Sequence, residues 1–297
     1  MSVIGFVGIG RMGTPMCANL VRAGHRVIAS DVRPECREVA SALGAEWAPT
    51  SAGAASGAEV LITMLPGPGE VRQAMIDDGA LDALPGGSTW IDMSSNSAAE
   101  AAPVQANADE RGIHTLEAPV GGGIAAATEG TLQLFVAGDA ELVERHRPLL
   151  DVLGEPAHVL HIGVRGSGYT AKLLVNLLWF GQAIAVTEAL LLARSTGIDL
   201  EVLHEALTSS AAASTFIRRD LSSLLDGDYL ESFGLDRICE ELAALTPLAA
   251  EQNVPFELSG LVERIHLRAL DRFGPRDGEL LAAALLEEQA GLRVRRG

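Results

Sequence analysis

The chain of 297 residues is 48% hydrophobic and 21% charged, with a formal net charge of −17, a balance that supports a sizeable core and excludes a disordered chain. That acidity also argues against a general phosphate-backbone binder, which presents a basic face, so no nucleic-acid partner is expected. Cys17, Cys36 and Cys239 are far apart with no CxxC spacing; neither a disulfide framework nor a metal site is suggested, and a reducing, cytoplasmic setting is expected.

The opening MSVIGFVGIG lacks a basic leader and reads as a first strand, not a signal peptide. Further β-rich runs follow at 26–30, 60–65, 88–94, 112–120, 130–138 and 157–163, each bounded by turn residues. Helical stretches such as TPMCANLVRAG, RPECREVASALG and AELVERHRPLLDVLG lie between them, and this βαβ rhythm predicts a mostly parallel sheet. After about residue 165 the β character stops, and a long helix over roughly 166–196, ended by Gly197, leads into further helices. The expected architecture is an α/β Rossmann-like domain over 1–164 followed by an all-α domain over 165–297, with the active site in the cleft between them. The most apolar stretch, 173–186, is interrupted by Asn176 and Gln182; it falls short of a membrane span and fits a buried helix. The final RVRRG is expected to be a solvated tail.

GFVGIGRMGTPMCANLVRAGH places Gly8, Gly10 and Gly13 in G-x-G-x-x-G spacing between a strand and a helix. Such glycines allow a tight turn, close backbone approach to a pyrophosphate and close helix–strand packing, and the helix N-terminus favours the phosphates. Ile9, Arg11 and Met12, the loop residues between the glycines, belong to the same cofactor contact. Asp31 ends the second strand, 18 residues beyond Gly13, where a carboxylate accepts the adenosine ribose hydroxyls and repels a 2′-phosphate; NAD is favoured over NADP. Arg33 leaves NADP possible, since a guanidinium there could reach a phosphate.

The 22 basic residues are 21 arginines and one lysine, Lys172. Unlike a guanidinium, an amine can lose its proton when buried or suitably neighboured. Asn176, four residues on, shares its helix face, so a neutral Lys172 could take an alcohol proton while a nicotinamide takes the hydride. Lysine at the surface of a linking helix, with Asn176 in an interhelix contact, is the structural alternative.

GFVGIGRMGTPMCANLVRAGH, DMSSNS at 92–97, EAPVGGGIAAATEGTLQLFVAGD at 117–139 and GSGYTAKLLVN at 166–176 together resemble the β-hydroxyacid dehydrogenases, the family of 3-hydroxyisobutyrate dehydrogenase and relatives of 6-phosphogluconate dehydrogenase. The resemblance covers essentially the whole chain. It implies Lys172 as acid/base, Asn176 on the substrate carboxylate or hydroxyl, Leu65 and Pro66 beside the cofactor, Ser95 near the nicotinamide ribose and substrate, and Gly122 and Gly123 presenting amides to the substrate carboxylate. It also implies a homodimer or homotetramer.

Two positions depart from the family pattern. Gly121 stands where the substrate loop usually has serine, and Glu240, followed by Glu241, stands at the usual lysine of the helical domain. Turned inward, Glu240 would bind substrate and favour an amine, a polyol or a neutral group; turned outward, it is one more surface acid. Imine reduction on the same fold and a non-catalytic NAD-binding module are the rival readings. The scattered histidines show no ligand spacing, so no metal is expected.

Overall fold

The computed structural model describes residues 1–296. The chain forms two compact units, Met1–Lys172 and Leu173–Gly297, so the division falls within the first turns of the long helix and not ahead of it.

Unit 1 is built on nine strands, β1 (Val3–Val7), β2 (Arg26–Ser30), β3 (Glu46–Trp47), β4 (Val60–Thr63), β5 (Thr89–Asp92), β6 (His114–Glu117), β7 (Val120–Gly121), β8 (Leu132–Ala137) and β9 (Gly154–Gly163). The sheet order is β3-β2-β1-β4-β5-β6-β8-β7, with β9 also paired to β8. Pairing is parallel from β3 through to β6, antiparallel where β8 meets β6 and β7, and parallel again between β8 and β9. The run expected over 112–120 is interrupted at Ala118-Pro119, where proline has no amide for a ladder, leaving β6 and β7. Edge strand β3 has no hydrophobic run to announce it and pairs only through Ile28–Glu46 and Ala29–Trp47.

The strands alternate between two apolar layers, as the pleat requires. Ile4, Phe6, Ile62 and Ile91 join one core cluster, while Val7, Leu61 and Trp90 join the other. The helices of this unit are α1 (Gly13–Arg22), α2 (Cys36–Leu43), α3 (Ser51–Ala55), α4 (Pro68–Arg72), α5 (Ala80–Ala83), α6 (Ala98–Glu110), α7 (Gly123–Glu129) and α8 (Ala140–Leu153). Ser97 and Asp139 cap α6 and α8 by accepting from the amides of Glu100 and Leu142, satisfying donors that would otherwise be orphaned. Because β1 pairs with β2 on one side and β4 on the other, the strand order reverses there, the place where open α/β sheets bind ligands.

Helix α9 (Ser167–Ser195) begins in unit 1 and continues through unit 2, followed by α10 (Leu200–Ser209), α11 (Leu221–Asp226), α12 (Leu235–Glu251), α13 (Glu257–Phe273) and α14 (Leu281–Ala290). It stops just before Gly197, whose φ of +82° suits glycine alone at no cost. By length and hydropathy α9 could cross a membrane, more than the expected stretch 173–186 suggested. Its packing gives it another role: Leu173, Leu177, Phe180 and Ile184 form one stripe against Leu235, Ile238 and Leu242 of α12 and Val262 and Ile265 of α13.

The C-terminal segment departs from expectation. Val294 is fully buried; its amide and the guanidinium of Arg295 both reach Glu287 Oε1, at 2.6 and 2.8 Å. Arg293 and the Tyr229 hydroxyl reach Glu287 Oε2 at 3.2 and 2.5 Å. A buried carboxylate therefore recruits the terminal arginines into the fold, because its oxygens, removed from water, need donors.

Candidate active site

The glycine loop leaves β1 with two positions closed to any side chain. A Cβ on Gly8, whose φ is +98°, would lie 2.3 Å from Met64 O, and one on Gly13 would lie 1.9 Å from Gly8 O. Gly10 is different: the nearest atom to its would-be Cβ is an Arg33 nitrogen at 3.8 Å. It faces a groove of about 530 Å³ whose lining includes Ile9, Gly10, Arg11, Thr14 and Arg33. A cradle that only a missing side chain keeps open, at a helix N-terminus, fits a dinucleotide pyrophosphate. Met12, half-buried, packs against the core below the loop.

Asp31 follows β2, and its Oδ2 accepts from Ile9 N at 3.0 Å, tying the loop to the next strand. Arg33 pairs with both carboxylate oxygens, through Nε at 2.8 Å and Nη2 at 3.0 Å, and donates its own amide at 3.0 Å. Burial raises the Asp31 pKa, but the Arg33 guanidinium and the amides of Arg33 and Ile9 outweigh it, leaving the carboxyl below its usual value. A carboxylate so held favours its anionic form, which can accept hydrogen bonds from hydroxyl groups.

Leu65 is half-buried and Pro66 exposed just beyond β4. Leu65 N donates to Ser94 Oγ at 3.0 Å, so the buried Ser94 braces this loop while the neighbouring Ser95 remains half-exposed. Gly122 and Gly123 are exposed at the start of α7 with φ of +110° and +68°. Cys17 and Cys239 are buried, and that burial pushes their thiols up to about 12 and about 11; neither is poised as a nucleophile.

Lys172 and Asn176 are both partly buried on α9, one turn apart. Asn176 Nδ2 donates to Glu241 Oε2 at 2.7 Å, while Glu241 Oε1 is buried without a hydrogen-bond partner. Of the two adjacent acids, Glu241 thus meets a predicted site residue. Glu240 does not: it is exposed on α12 and pairs with Arg237 one turn earlier, at 3.0 Å. The outward alternative is the one observed, and the unusual substrate preference that an inward Glu240 would have produced has no support.

Residues without an assigned role in the sequence form the support under Lys172. Glu117 and Asp92, which end β6 and β5 and pair in register, are almost fully buried. Glu117 accepts from the amides of Gly166 and Gly168, at 2.5 and 3.2 Å, and from Gln105 Nε2 at 3.0 Å. Asp92 accepts from the Tyr169 hydroxyl at 2.7 Å and the Thr63 hydroxyl at 2.8 Å, as well as from Ser94 N and Asn96 Nδ2. Burial pushes both carboxyls above their ordinary values, against the pull of these donors. The available signal was a carboxylate closing an apolar strand, since a buried charge requires partners.

Residues 3–163 match the family described as the NAD binding domain of 6-phosphogluconate dehydrogenase, and residues 166–285 match the NAD-binding of NADP-dependent 3-hydroxyisobutyrate dehydrogenase. The chain belongs to the β-hydroxyacid dehydrogenase family. As a β-hydroxyacid dehydrogenase it is an NAD(P)-linked oxidoreductase that transfers a hydride to or from small hydroxy acids. It is 36% identical to the NAD-dependent L-serine dehydrogenase of Pseudomonas aeruginosa over 72% of each chain. Its structure is similar to Mycobacterium tuberculosis 3-hydroxyisobutyrate dehydrogenase with L-serine, at TM-score 0.85 and 29% identity over 96% of this chain and 99% of that one. An imine reductase from Myxococcus stipitatus with NAD⁺ has TM-score 0.64 at 22% identity over 96% and 99% of the chains, a likeness of fold alone. The imine-reduction and non-catalytic readings are therefore not favoured.

Proposed function

We propose that this dehydrogenase interconverts a small β-hydroxy acid and its carbonyl form, with Lys172 carrying the proton and NAD as the preferred cofactor. The nicotinamide supplies or accepts the hydride when bound. In the oxidation direction the neutral Lys172 amine takes the hydroxyl proton; in reduction its ammonium returns it. No arginine can exchange a proton in this way at ordinary pH. Asn176 and the amides of Gly122 and Gly123 hold the substrate carboxylate, Ser95 contacts substrate and nicotinamide ribose, and Glu241 fixes the Asn176 amide. Gly8 to Gly13, Asp31, Leu65 and Pro66 hold the cofactor.

The observation that carries this reading is the single lysine, set in the first turns of a helix whose head is held by Glu117 and Asp92. Relatives named for L-serine and 3-hydroxyisobutyrate make those two compounds the first probes. The chain is proposed to act in the cytoplasm as a homodimer or homotetramer. Exposed apolar side chains on the helical unit, Leu178 at 64%, Leu192 at 67% and Leu258 at 75%, support self-association.

Adding NAD and a panel of small hydroxy acids should produce NADH absorbance. Lys172→Arg should abolish turnover while leaving NAD affinity nearly unchanged. Full activity in that variant would remove Lys172 from proton transfer, and light scattering at a monomer mass would remove the oligomer.

A further inference from the structure

We propose that Glu117, Asp92 and Tyr169 are positioning residues for the proton-transfer step: they lock the head of α9 onto the ends of β5 and β6 and thereby aim Lys172. The inference rests on the reading of Lys172 as acid/base. It assigns a function to two carboxylates almost wholly shielded from solvent, of which Asp92 also holds the turn that carries Ser95, through Ser94 N and Asn96 Nδ2.

Placing two carboxylates side by side in a protein interior is unfavourable, and such groups persist only where donors compensate them. Here the donors are those of the catalytic helix. Gly166 and Gly168 flank Ser167, the first residue of α9, and both give their amides to Glu117. These amides have no partner within the helix, and an anion at that end also meets the favourable end of the helix dipole. Tyr169, with no exposed surface, adds a side-chain tether to Asp92.

The glycines of the GSG triplet fit this seating. A Cβ on Gly168 would stand 2.6 Å from Phe135 O and 3.2 Å from Glu117 Cβ, so the helix rests directly on β8 and β6. Gly166 enters with a φ of +91°, which turns its amide toward Glu117 at little conformational cost. The helix head is thus fixed by two backbone bonds, one side-chain bond and a close backbone approach.

Lys172 follows Tyr169 by less than one helical turn, a rise of about 4.5 Å along the axis. Any slip or rotation of the head is carried rigidly to Lys172. Proton transfer demands close alignment of donor and acceptor, and a displacement of about 1 Å can lower the rate by ~100-fold.

Lys172 being the only lysine supplies a direct test. Protein labelled with ¹³C at the lysine side chain gives one lysine signal, whose titration reports this amine without any turnover. Tyr169→Phe removes one hydroxyl and keeps the ring; Glu117→Gln keeps the shape but turns an acceptor into a donor toward the helix amides. Both should lower kcat by about tenfold to 100-fold, leave NAD affinity and substrate KM within about twofold, and move the Lys172 midpoint by at least about half a unit. If a folded Tyr169→Phe protein keeps wild-type kcat and an unmoved lysine midpoint, with at most a lowered melting temperature, the residues are structural only and the proposal fails. Should Glu117→Gln not fold, Tyr169→Phe decides alone. Full activity of Lys172→Arg would instead overturn the acid/base reading itself, so the two failures are distinguishable.

Discussion

Cofactor choice should turn on the Asp31–Arg33 pair, and Asp31→Ser tests it. On the proposed cofactor reading, the carboxylate offers charge-assisted acceptance to the ribose hydroxyls, a contribution of about 3 kcal/mol for two such bonds after desolvation. Serine removes that and keeps a hydroxyl oxygen for Ile9 N, which now bonds Asp31 Oδ2 at 3.0 Å. It also releases Arg33, whose Nε and Nη2 are held at 2.8 and 3.0 Å, to meet a 2′-phosphate. Because the Arg33 side chain is 51% exposed, solvent screening limits that gain to about 1 kcal/mol. The combined change of about 4 kcal/mol corresponds to a ~1,000-fold shift in the NAD-to-NADP ratio of kcat/KM. Initial rates followed by reduced-nicotinamide absorbance, with each cofactor at fixed substrate, give the ratio. Adding Arg33→Ala to Asp31→Ser should reverse the NADP component. An unchanged ratio in Asp31→Ser, or equal loss with both cofactors, would refute the assignment.

Gly121→Ser should fold normally, because its Cβ would meet only ordinary contacts at 3.6 Å; the restored hydroxyl should lower KM for carboxylate substrates by about threefold to tenfold, a neutral hydrogen bond's contribution, in steady-state assays. His266, almost fully buried on α13, has its pKa pushed down by burial from 6.5 to about 4. The unfolded chain therefore binds a proton that the folded chain refuses, and stability should fall by about 3 kcal/mol as pH drops from 6.5 to 4. Denaturant titrations across that window should show the slope, and His266→Phe should reduce it; the same slope in both proteins would exclude His266. Glu287→Ala leaves Arg295, Arg293, Tyr229 and the Val294 amide without their shared acceptor, so a loss of about 3 kcal/mol is expected, read as a lowered unfolding midpoint and faster proteolysis near the C-terminus.

The elements that were legible in the sequence are those whose signal is local. Ile4, Phe6 and Val7 show the pleat's alternation, and Gly197 marks the end of α9. The glycine loop is legible because each glycine answers a separate steric demand. Long-range partnerships were not legible. Nothing local says that Glu287 will gather Arg293 and Arg295, or that Glu117 will hold the amides of Gly166 and Gly168. Glu240 is an intermediate case. Leu235, Ile238, Leu242 and Leu245 form the buried stripe of α12; at about 100° per residue, Glu240 lies roughly 180° from that stripe and Glu241 roughly 80°. Helical phase alone therefore separates the two acids, setting Glu241 toward the buried stripe and Glu240 away from it, in solvent.

The division of the chain bears on how substrate preference can change without loss of the reaction. Lys172 is the last residue of unit 1, and its supports, Asp92, Glu117 and Tyr169, belong to the same unit as the glycine loop and Asp31. The proposed proton carrier and the proposed cofactor cradle are thus referred to one sheet, through the carboxyl ends of β1, β2, β5 and β6. Asn176 and Glu241 belong to unit 2, on α9 and α12. The bonds from Gly166, Gly168 and Tyr169 that seat the head of α9 are made within unit 1, and the bond that holds the Asn176 amide is made within unit 2. The acid pair at 240 and 241 divides within unit 2: one carboxylate accepts from Asn176 Nδ2, and the other pairs with Arg237 in solvent.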